Sequence, residues 1–100
     1  MNAFNDCPQG RLCLWDNREA GGLRLAVLTP PDDWRLTSVS VNRTNSVWNR
    51  TGRIALLEDD NCDVSLRVDP GDRLPDLGSI DRIGRDGTWN NKIDSGWFYL

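Results

Sequence analysis

Histidine is absent from this sequence of 100 residues, and lysine occurs once. Without histidine, a nucleophilic serine or cysteine lacks its commonest general base, and a zinc site lacks its commonest nitrogen ligand. The nucleophile elbow, the Walker loop and the dinucleotide-binding glycine motif are absent as well. Carboxylates are paired at Asp32-Asp33 and Asp59-Asp60. Such neighbours in a turn usually face solvent, whereas a glycosidase needs two carboxylates across a cleft. We therefore do not expect an enzyme.

The sequence also lacks a basic cluster and a long apolar run. Its formal net charge is −3 and its pI is about 4.7, so no nucleic-acid partner is expected, because such binding normally needs a basic face. No run approaches the ~20 apolar residues that a membrane-spanning helix needs. The first residues, MNAFNDCPQG, do not read as a signal peptide, which also suits a mature form with an added Met1. We expect one domain without a membrane span, most simply a monomer.

Cysteine occurs three times. Cys7 and Cys13 enclose PQGRL, in which Pro8 and Gly10 can turn the chain back so that the sulfurs meet. A metal clamp or a redox pair is the alternative, but the spacing is not C-x-x-C and a zinc site lacks its ligands. We predict a structural disulfide, which implies an oxidising compartment. Cys62 is then interpreted as a small buried apolar residue, with an exposed thiol and a disulfide-linked dimer as the alternative.

Short alternating stretches separated by turn residues occupy most of the chain. The alternating stretches lie at 11–15, 23–28, 37–41, 46–49, 53–57 and 64–68. Turn sequences such as DNREAGG, TPPDD, NRTG and DPGD lie between them, and no amphipathic helical stripe is present. This pattern predicts an all-β sandwich or barrel.

Two phrases occur twice, in the same order. RLCLWDN at 11–17 matches RIALLED at 53–59 with an offset of 42, and Asn-x-x-x-Ser-x-Trp occurs at 42–48 and at 91–97 with an offset of 49. Neither half can bury its apolar face alone, so the halves must pack together. We predict one domain over 1–100, with a Greek key at about 7–52 and a second at about 53–100, about four strands each, forming a sandwich. Trp48 and Trp97 are expected to pack in the core or between the sheets.

The first hairpin resembles the motif of βγ-crystallin domains, in which an aromatic residue opens a folded hairpin, a second aromatic follows, and a later glycine permits a positive φ. Trp15 and Gly22 fit the first and third places, and Ala20 replaces the second aromatic. In the second hairpin the three places are taken by Leu57, Cys62 and Val64. A β-branched residue tolerates a positive φ poorly, so we expect this second hairpin to be rebuilt.

The opening, CPQGRLCLWDN, resembles the Cys-Pro-x-Gly-x-x-Cys start of bacterial secreted peptidase inhibitors with a βγ-crystallin fold, the metalloproteinase-inhibitor family. The resemblance covers residues 7–100. It implies a disulfide between Cys7 and Cys13, secretion to the extracellular space, and an extracellular peptidase as partner. A bacterial origin also argues against reading Asn42-Arg43-Thr44 and Asn49-Arg50-Thr51 as N-glycosylation sites.

Many microbial βγ-crystallins bind calcium through an Asn/Asp-Asn/Asp-x-x-Ser/Thr-Ser clamp in each half. Ca²⁺ takes six to eight oxygen ligands. In such a clamp these are loop carbonyls, a side-chain oxygen and a carbonyl from the hairpin of the other half. The clamps of this chain are VNRTNS at 41–46 and NNKIDS at 90–95, the second fitting better. The candidate ligands are Asn91, Asp94, Asn42, Asn45, Asp16 and Glu58. Alternatively, these side chains only hold sharp turns, and the neighbouring Arg43 and Lys92 disfavour a cation.

Three functions remain open. The resemblance favours an inhibitor that presents a rigid loop, because a rigid loop loses little entropy on binding. Two proline-stiffened loops, 29–34 and 69–79, have room to project, although either is also readable as an ordinary connection. Their candidate residues are Pro30, Pro31, Asp32, Asp33, Trp34, Pro70, Gly71, Asp72 and Arg73. The alternatives are a structural calcium-binding module, with calcium as its one cofactor, and a killer-toxin-like antimicrobial protein.

Overall fold

The structure is a computed structural model that describes residues 4–30, 33–36, 41–59, 65–82 and 87–99. In these residues the chain forms β-strands and three single 3₁₀ turns, at Phe4–Asp6, Arg18–Ala20 and Leu77–Ser79. The strands are β1 (Leu12–Trp15), β2 (Arg24–Leu28), β3 (Trp34–Arg35), β4 (Ser46–Asn49), β5 (Ala55–Glu58), β6 (Ser65–Val68), β7 (Arg73–Leu74) and β8 (Ser95–Phe98). The all-β prediction is confirmed. The stretch predicted as a strand at 37–41 lies almost wholly outside the described residues.

Two four-stranded antiparallel sheets make up the fold. The strand order is β2-β1-β4-β7 in the first sheet and β3-β8-β5-β6 in the second sheet. Each sheet therefore takes three strands from one half of the chain and one short edge strand from the other half. This exchange of β3 and β7 interlocks the halves, as expected for halves that cannot bury their apolar faces alone. No helix in the described part of the chain is long and apolar enough to cross a membrane.

Strand pairing relates the residues of the two halves, with a different offset for the first strand of each half from the one that the sequence suggests. Trp15 lies opposite Ser46 in the first sheet, and Glu58 lies opposite Ser95 in the second. Trp15 is thus equivalent to Glu58, and the predicted match of Trp15 with Leu57 is wrong by one residue. The strand ladders decide this register, because a slip of one residue would move every side chain of the strand to the opposite face.

The first hairpin keeps the predicted glycine conformation. Gly22 has a φ of +70°, and a Cβ added there would collide with the side chains of Asp16 and Asn17. Ala20, at the place of the second aromatic, is buried with a φ of +55°. Cys62 and Val64 of the second hairpin lie outside the described residues.

The main core is formed by residues from both sheets and from the connections. Its buried members are Leu12, Leu14, Val47, Ala55, Leu57, Val68, Leu77, Trp89, Ile93 and Phe98. Full burial of one such leucine or phenylalanine side chain stabilises the fold by about 1.5–3 kcal/mol. Trp34 packs against this core and over Gly96, where an added Cβ would lie 2.6 Å from the backbone oxygen of Leu56.

A second, smaller cluster covers the outer face of the first sheet. It contains Phe4, Cys7, Cys13, Trp15 and Ala20, with the half-buried Trp48 packed against it. The Cys7–Cys13 disulfide, predicted from the sequence, closes the N-terminal segment over this face, with the two Cα atoms 5.9 Å apart.

The prediction that Trp48 and Trp97 pack in the core or between the sheets is wrong for Trp97, which belongs to neither cluster. Trp48 packs against the smaller cluster and not in the main core, and both tryptophans are half-buried. Side chains alternate along a strand, and in β4 the residue before Trp48, Val47, is the one that enters the core. In β8 the core position next to Trp97 is taken by Phe98. Both tryptophans therefore lie on outer faces of the sandwich.

The sandwich has two distinct ends. The connection from Asn49, the end of β4, to Ala55, the start of β5, lies at one end. The end of β2 lies there too, because Leu12 pairs with both Asn49 and Leu28. The end of β6 also lies there, because Ala55 pairs with Val68. We call this the loop end. The opposite end, which we call the clamp end, holds the turns between β1 and β2 and the two Asn-x-x-x-Ser phrases.

Candidate functional site

A tight turn at residues 69–72 forms the best-defined projecting loop of the loop end. The backbone N–H of Asp72 donates to the carbonyl of Asp69 at 3.0 Å, with Pro70 and Gly71 between them. Gly71 has a φ of +87°. Proline followed by a glycine of positive φ is the pattern of a type II turn, for which both residues are suited in advance.

This turn is fixed to the end of β4. The N–H of Gly71 donates to the carbonyl of Asn49 at 2.7 Å, and the N–H of Asn49 donates to the carbonyl of Asp72 at 3.0 Å. The Asp72 carboxylate also accepts from the N–H of Asp69 at 3.2 Å. Pro70, Gly71 and Asp72 are nevertheless exposed. The turn is therefore held at its base and accessible at its tip.

Asn49 is the anchor of the loop end. It is fully buried, and its side-chain amide donates to the carbonyls of Arg53 and Val68, both at 2.9 Å. Its side-chain oxygen accepts from Thr51, through both the backbone N–H and the hydroxyl. Burial and bonding of this amide agree with the interpretation that the Asn49 sequon is not a glycan site.

The other predicted loop, 29–34, is the equivalent connection in the first half and lies at the same end. Pro30 and Asp33 are described, whereas Pro31 and Asp32 lie outside the described residues. Trp34 opens β3 and is half-buried against the main core, so its indole is a packing group.

Two arginines stack on one tryptophan beside the turn. The guanidinium carbon of Arg73 lies 4.1 Å from the ring centroid of Trp48 and 5.2 Å from that of Phe4. The guanidinium carbon of Arg50 lies 4.6 Å from the Trp48 centroid, and Arg50 Nη1 donates to the carbonyl of Cys7 at 2.7 Å. Stacking of this kind contributes about 0.5–1 kcal/mol at an exposed site.

Arginines at the two ends differ in their partners. Among the described residues, the ion pairs of the clamp end are Arg18–Asp76, Arg35–Asp94, Arg43–Asp16 and Arg82–Asp59. At the loop end the same residues show Arg67 paired with Asp69 at 2.7 Å, and this hydrogen bond raises the pKa of Arg67. Within the described segments, four further loop-end arginines have no carboxylate within salt-bridge distance. They are Arg11, Arg50, Arg53 and Arg73.

The two Asn-x-x-x-Ser phrases meet each other at the clamp end. The N–H of Asn42 donates to the carbonyl of Ile93 at 2.9 Å, and the N–H of Asn91 donates to the carbonyl of Thr44 at 3.1 Å. Asn42 and Asn91 both have a φ of +59°. These reciprocal bonds join the halves, and asparagine suits the left-handed conformation that they need.

The residue before the serine of each phrase, Asn45 or Asp94, forms further backbone hydrogen bonds. Asn45 and Asp94 donate their N–H groups to the carbonyls of Trp15 and Glu58, at 2.8 Å and 2.9 Å, in the hairpins of their own halves. The carbonyl of Asn45 accepts from the N–H of Leu77 at 2.9 Å, across the seam between the halves. The phrases therefore contribute directly to the joining of the two halves.

Of the residues predicted as calcium ligands, Asn45 contacts Asp16 in the first half, and Asp94 contacts the backbone of Glu58 in the second half. The carboxylate of Asp16 faces Arg43 at 3.0 Å and that of Asp94 faces Arg35 at 3.2 Å. The amide nitrogen of Asn45 donates to the carbonyl of Asp16 at 2.9 Å. No cluster of three or more acidic or cysteine side chains suited to a metal occurs in the described ranges. Calcium binding stays a prediction, and a bound ion would compete with these two arginines.

Comparison with known proteins decides the family. Residues 2–68, more than half of the chain, match the model of the peptidase inhibitor family I36. The chain is a member of this family. Comparison with curated proteins and with solved structures gave no match. I36 is a family of inhibitors, in agreement with the expectation that the chain is not an enzyme and with its resemblance to a peptidase inhibitor family.

Some features of this I36 inhibitor were not predicted from its sequence. The anchoring role of Asn49 and the stacking of Arg50 and Arg73 on Trp48 depend on strand pairing between distant parts of the chain. The sequence around a polar residue at the end of a strand, such as Asn49, does not indicate whether its side chain is buried. The spacing of Trp48 and Arg50, two residues apart and therefore on one face of an extended chain, was the one local hint.

Proposed function

We propose that this chain is a secreted inhibitor of an extracellular peptidase and that the turn at 69–72 is its inhibitory element. Membership of the peptidase inhibitor family I36 supports the peptidase as partner. The disulfide between Cys7 and Cys13 supports an oxidising, extracellular location, because such bonds persist where thiols are not kept reduced. The observation that carries the choice of element is the combination of exposure and fixed geometry at Pro70 and Gly71.

Rigidity is the physical reason for this choice. A loop that is ordered before binding does not lose conformational entropy when it enters the peptidase cleft, and this loss otherwise costs about 0.5–1.5 kcal/mol per immobilised side chain. The turn meets this requirement through its internal hydrogen bond and its two bonds to Asn49. A proline at its tip restricts the free protein further.

The position of the turn also suits access to a cleft. The residues of the turn follow β6, at the loop end. A peptidase can therefore approach this end without contacting the seam at Asn42 and Asn91. The turn projects from the sandwich while the sheets beneath it supply the rigid support that functional loops need.

Gly71 allows a direct test. An added Cβ at Gly71 meets no atom within 4 Å, but the φ of +87° is strained for alanine, so Gly71→Ala alters the turn without a collision. Gly52→Ala is the matched control, because a Cβ there also meets no atom within 4 Å and its φ is not in the left-handed region. We expect Gly71→Ala to raise the inhibition constant at least about tenfold, which corresponds to ~1.4 kcal/mol, and Gly52→Ala to leave it unchanged.

The measurement is the inhibition constant against a panel of metallo-, serine and cysteine peptidases, with melting temperatures to verify folding. If no peptidase of the panel is inhibited by the parent protein, the proposed function is wrong. If a peptidase is inhibited equally by the parent and by folded Gly71→Ala, inhibition is real but the turn is not its element.

A further inference from the structure

The arginines of the loop end form a cationic surface around the turn. Arg50 and Arg73 share the ring of Trp48, and Arg11 is joined to Arg50 through a backbone hydrogen bond of 2.9 Å between the Arg50 N–H and the Arg11 carbonyl. The Asn49 amide donates to the Arg53 carbonyl, and Arg53 Nη1 donates to the carbonyl of Tyr99 at 3.3 Å. We call these four arginines the arginine surface; they belong to the loop end, which also bears the projecting Pro70.

Two guanidiniums that stack on one indole ring carry like charges and repel each other, with an energy that falls as their distance grows. The aromatic ring attracts each cation but does not neutralise it. Neither Arg50 nor Arg73 has a carboxylate in reach within the described part of the chain. An anionic group from outside would therefore be favourable at this place.

The whole chain makes this arrangement more notable, because its formal net charge is −3. The loop end is basic although the protein is acidic, because most of the described carboxylates that form ion pairs with arginine lie at the clamp end. The carboxylates of Asp16, Asp59, Asp76 and Asp94 are each bonded to an arginine at the clamp end. At the loop end Arg67 is paired to Asp69, and the Asp72 carboxylate accepts from the Asp69 N–H. The remaining loop-end arginines have no carboxylate within salt-bridge distance in the described segments.

We infer that the peptidase bound by this chain carries acidic side chains at the rim of its active-site cleft, and that Arg50 and Arg73 pair with them when the turn docks. The inference rests on the proposed inhibitory function. Arg73 directly follows the turn, so its guanidinium reaches the rim when Pro70 and Gly71 enter the cleft. The stacking on Trp48 and Phe4 holds this guanidinium in place before binding. The arginine surface therefore supplies attraction and orientation, and the turn supplies the contact at the cleft.

The expected signature is kinetic. Charges at the rim of an interface chiefly change the association rate and its salt dependence, and electrostatic steering accelerates association by about 10- to 1,000-fold. For the peptidase that the parent protein inhibits, we expect the association rate constant to fall about tenfold between 50 and 500 mM NaCl, because screening shortens the range of the attraction.

The test compares variants that differ in charge but not in position. Arg50→Gln combined with Arg73→Gln is expected to lower the association rate constant about tenfold at low salt and to flatten its salt dependence. Arg50→Lys combined with Arg73→Lys loses the stacked guanidiniums but keeps both charges. Because steering of association depends on charge, its association rate constant is expected to stay within about threefold of the parent. Arg18→Gln is the control at the clamp end, where the Arg18 side chain is 72% exposed. It is expected to change nothing.

The measurement is the association rate from progress curves of peptidase inhibition, with melting temperatures for each variant. An association rate that does not depend on salt overturns the inference, as does a folded double glutamine variant that associates like the parent. Equal losses in the glutamine and lysine pairs overturn it too, because packing and not charge would then be at work. If the parent inhibits no peptidase, the proposed function fails and this inference fails with it.

Discussion

The outer faces of the two sheets consist of equivalent strands, but within the residues that the structure describes only one of the two faces is covered by another segment of the chain. On the first sheet, Trp48 lies beneath the N-terminal segment, and Phe4 is only 2% exposed. On the second sheet, the equivalent Trp97 pairs edge-to-face with Tyr99, which remains 42% exposed. One face is therefore a small second core, whereas the other keeps its aromatic residues at the surface.

This difference shows what the disulfide-closed segment contributes. A repeat can duplicate strands, but it leaves the outer face of each sheet uncovered. Here the segment that includes Cys7 and Cys13 covers one face and places Phe4 at centroid distances of 5.2 Å from Trp15 and 6.0 Å from Trp48. The same cluster supports Arg73 at the base of the turn. Covering this face thus links the N-terminus to the proposed inhibitory element.

The largest expected effect comes from removing the ring that covers the first face. Phe4→Ala should lower the free energy of unfolding by about 3–4 kcal/mol, because it empties a buried site between two tryptophans. Tyr99→Ala, on the open face, should cost about 1 kcal/mol or less, since it loses one exposed aromatic pair. Chemical denaturation of both variants checks this. Equal costs would mean that the N-terminal segment does not form a second core.

A smaller effect is expected where the two halves differ at one core position. Val47 lies opposite Leu74 in the first sheet, and Gly96 lies opposite Trp34 in the second. Gly96→Ala should destabilise the protein by about 1–3 kcal/mol, because the added methyl group meets the Leu56 carbonyl and the Trp34 ring. Thermal melting beside the Gly52→Ala control measures this. A melting temperature equal to that of the control would show that Trp34 yields easily.

The smallest effect concerns the two clamps. Removing the arginine partner of Asp94 with Arg35→Gln frees the better clamp for a cation. If its dissociation constant is then ~1 mM, as in weak extracellular sites, 1 mM calcium adds only about 0.4 kcal/mol of stability. We expect a small calcium-dependent rise in melting temperature for Arg35→Gln, larger than for the parent and absent in Asp94→Asn. Identical melts with calcium and with chelator in all three proteins would end the calcium hypothesis.

Local patterns were sufficient for the central strands but not for the edges. The alternation in SVWN predicted β4 with its exact bounds. The two-residue strands β3 and β7 carry no pattern, because each is defined only by the partner strand in the sheet of the other half. The sequence alignment of β1 with β5, the equivalent strand of the other half, was wrong by one residue. Similar apolar residues align well at either offset, whereas the pairing of each strand with its neighbours permits only one.

The candidate sites divide in the same way. The duplicated phrases form two loops at the clamp end, in which Asn42 and Asn91 share a φ of +59°. The turn at 69–72 was predicted from Pro70 and Gly71, whose preferences are local. The ion pairs of Asp16 and Asp94 and the stacking at Trp48 were not predicted, because arginine side chains reach partners far away in the sequence.

Hydrogen–deuterium exchange of the inhibitor, free and bound to an inhibited peptidase, tests the central claim most directly. We predict that binding protects the backbone amides of 71–73 at the loop end and leaves those of 41–45 and 91–94 at the clamp end unchanged. Protection confined to the clamp end, with the loop end exchanging as in the free protein, would contradict it.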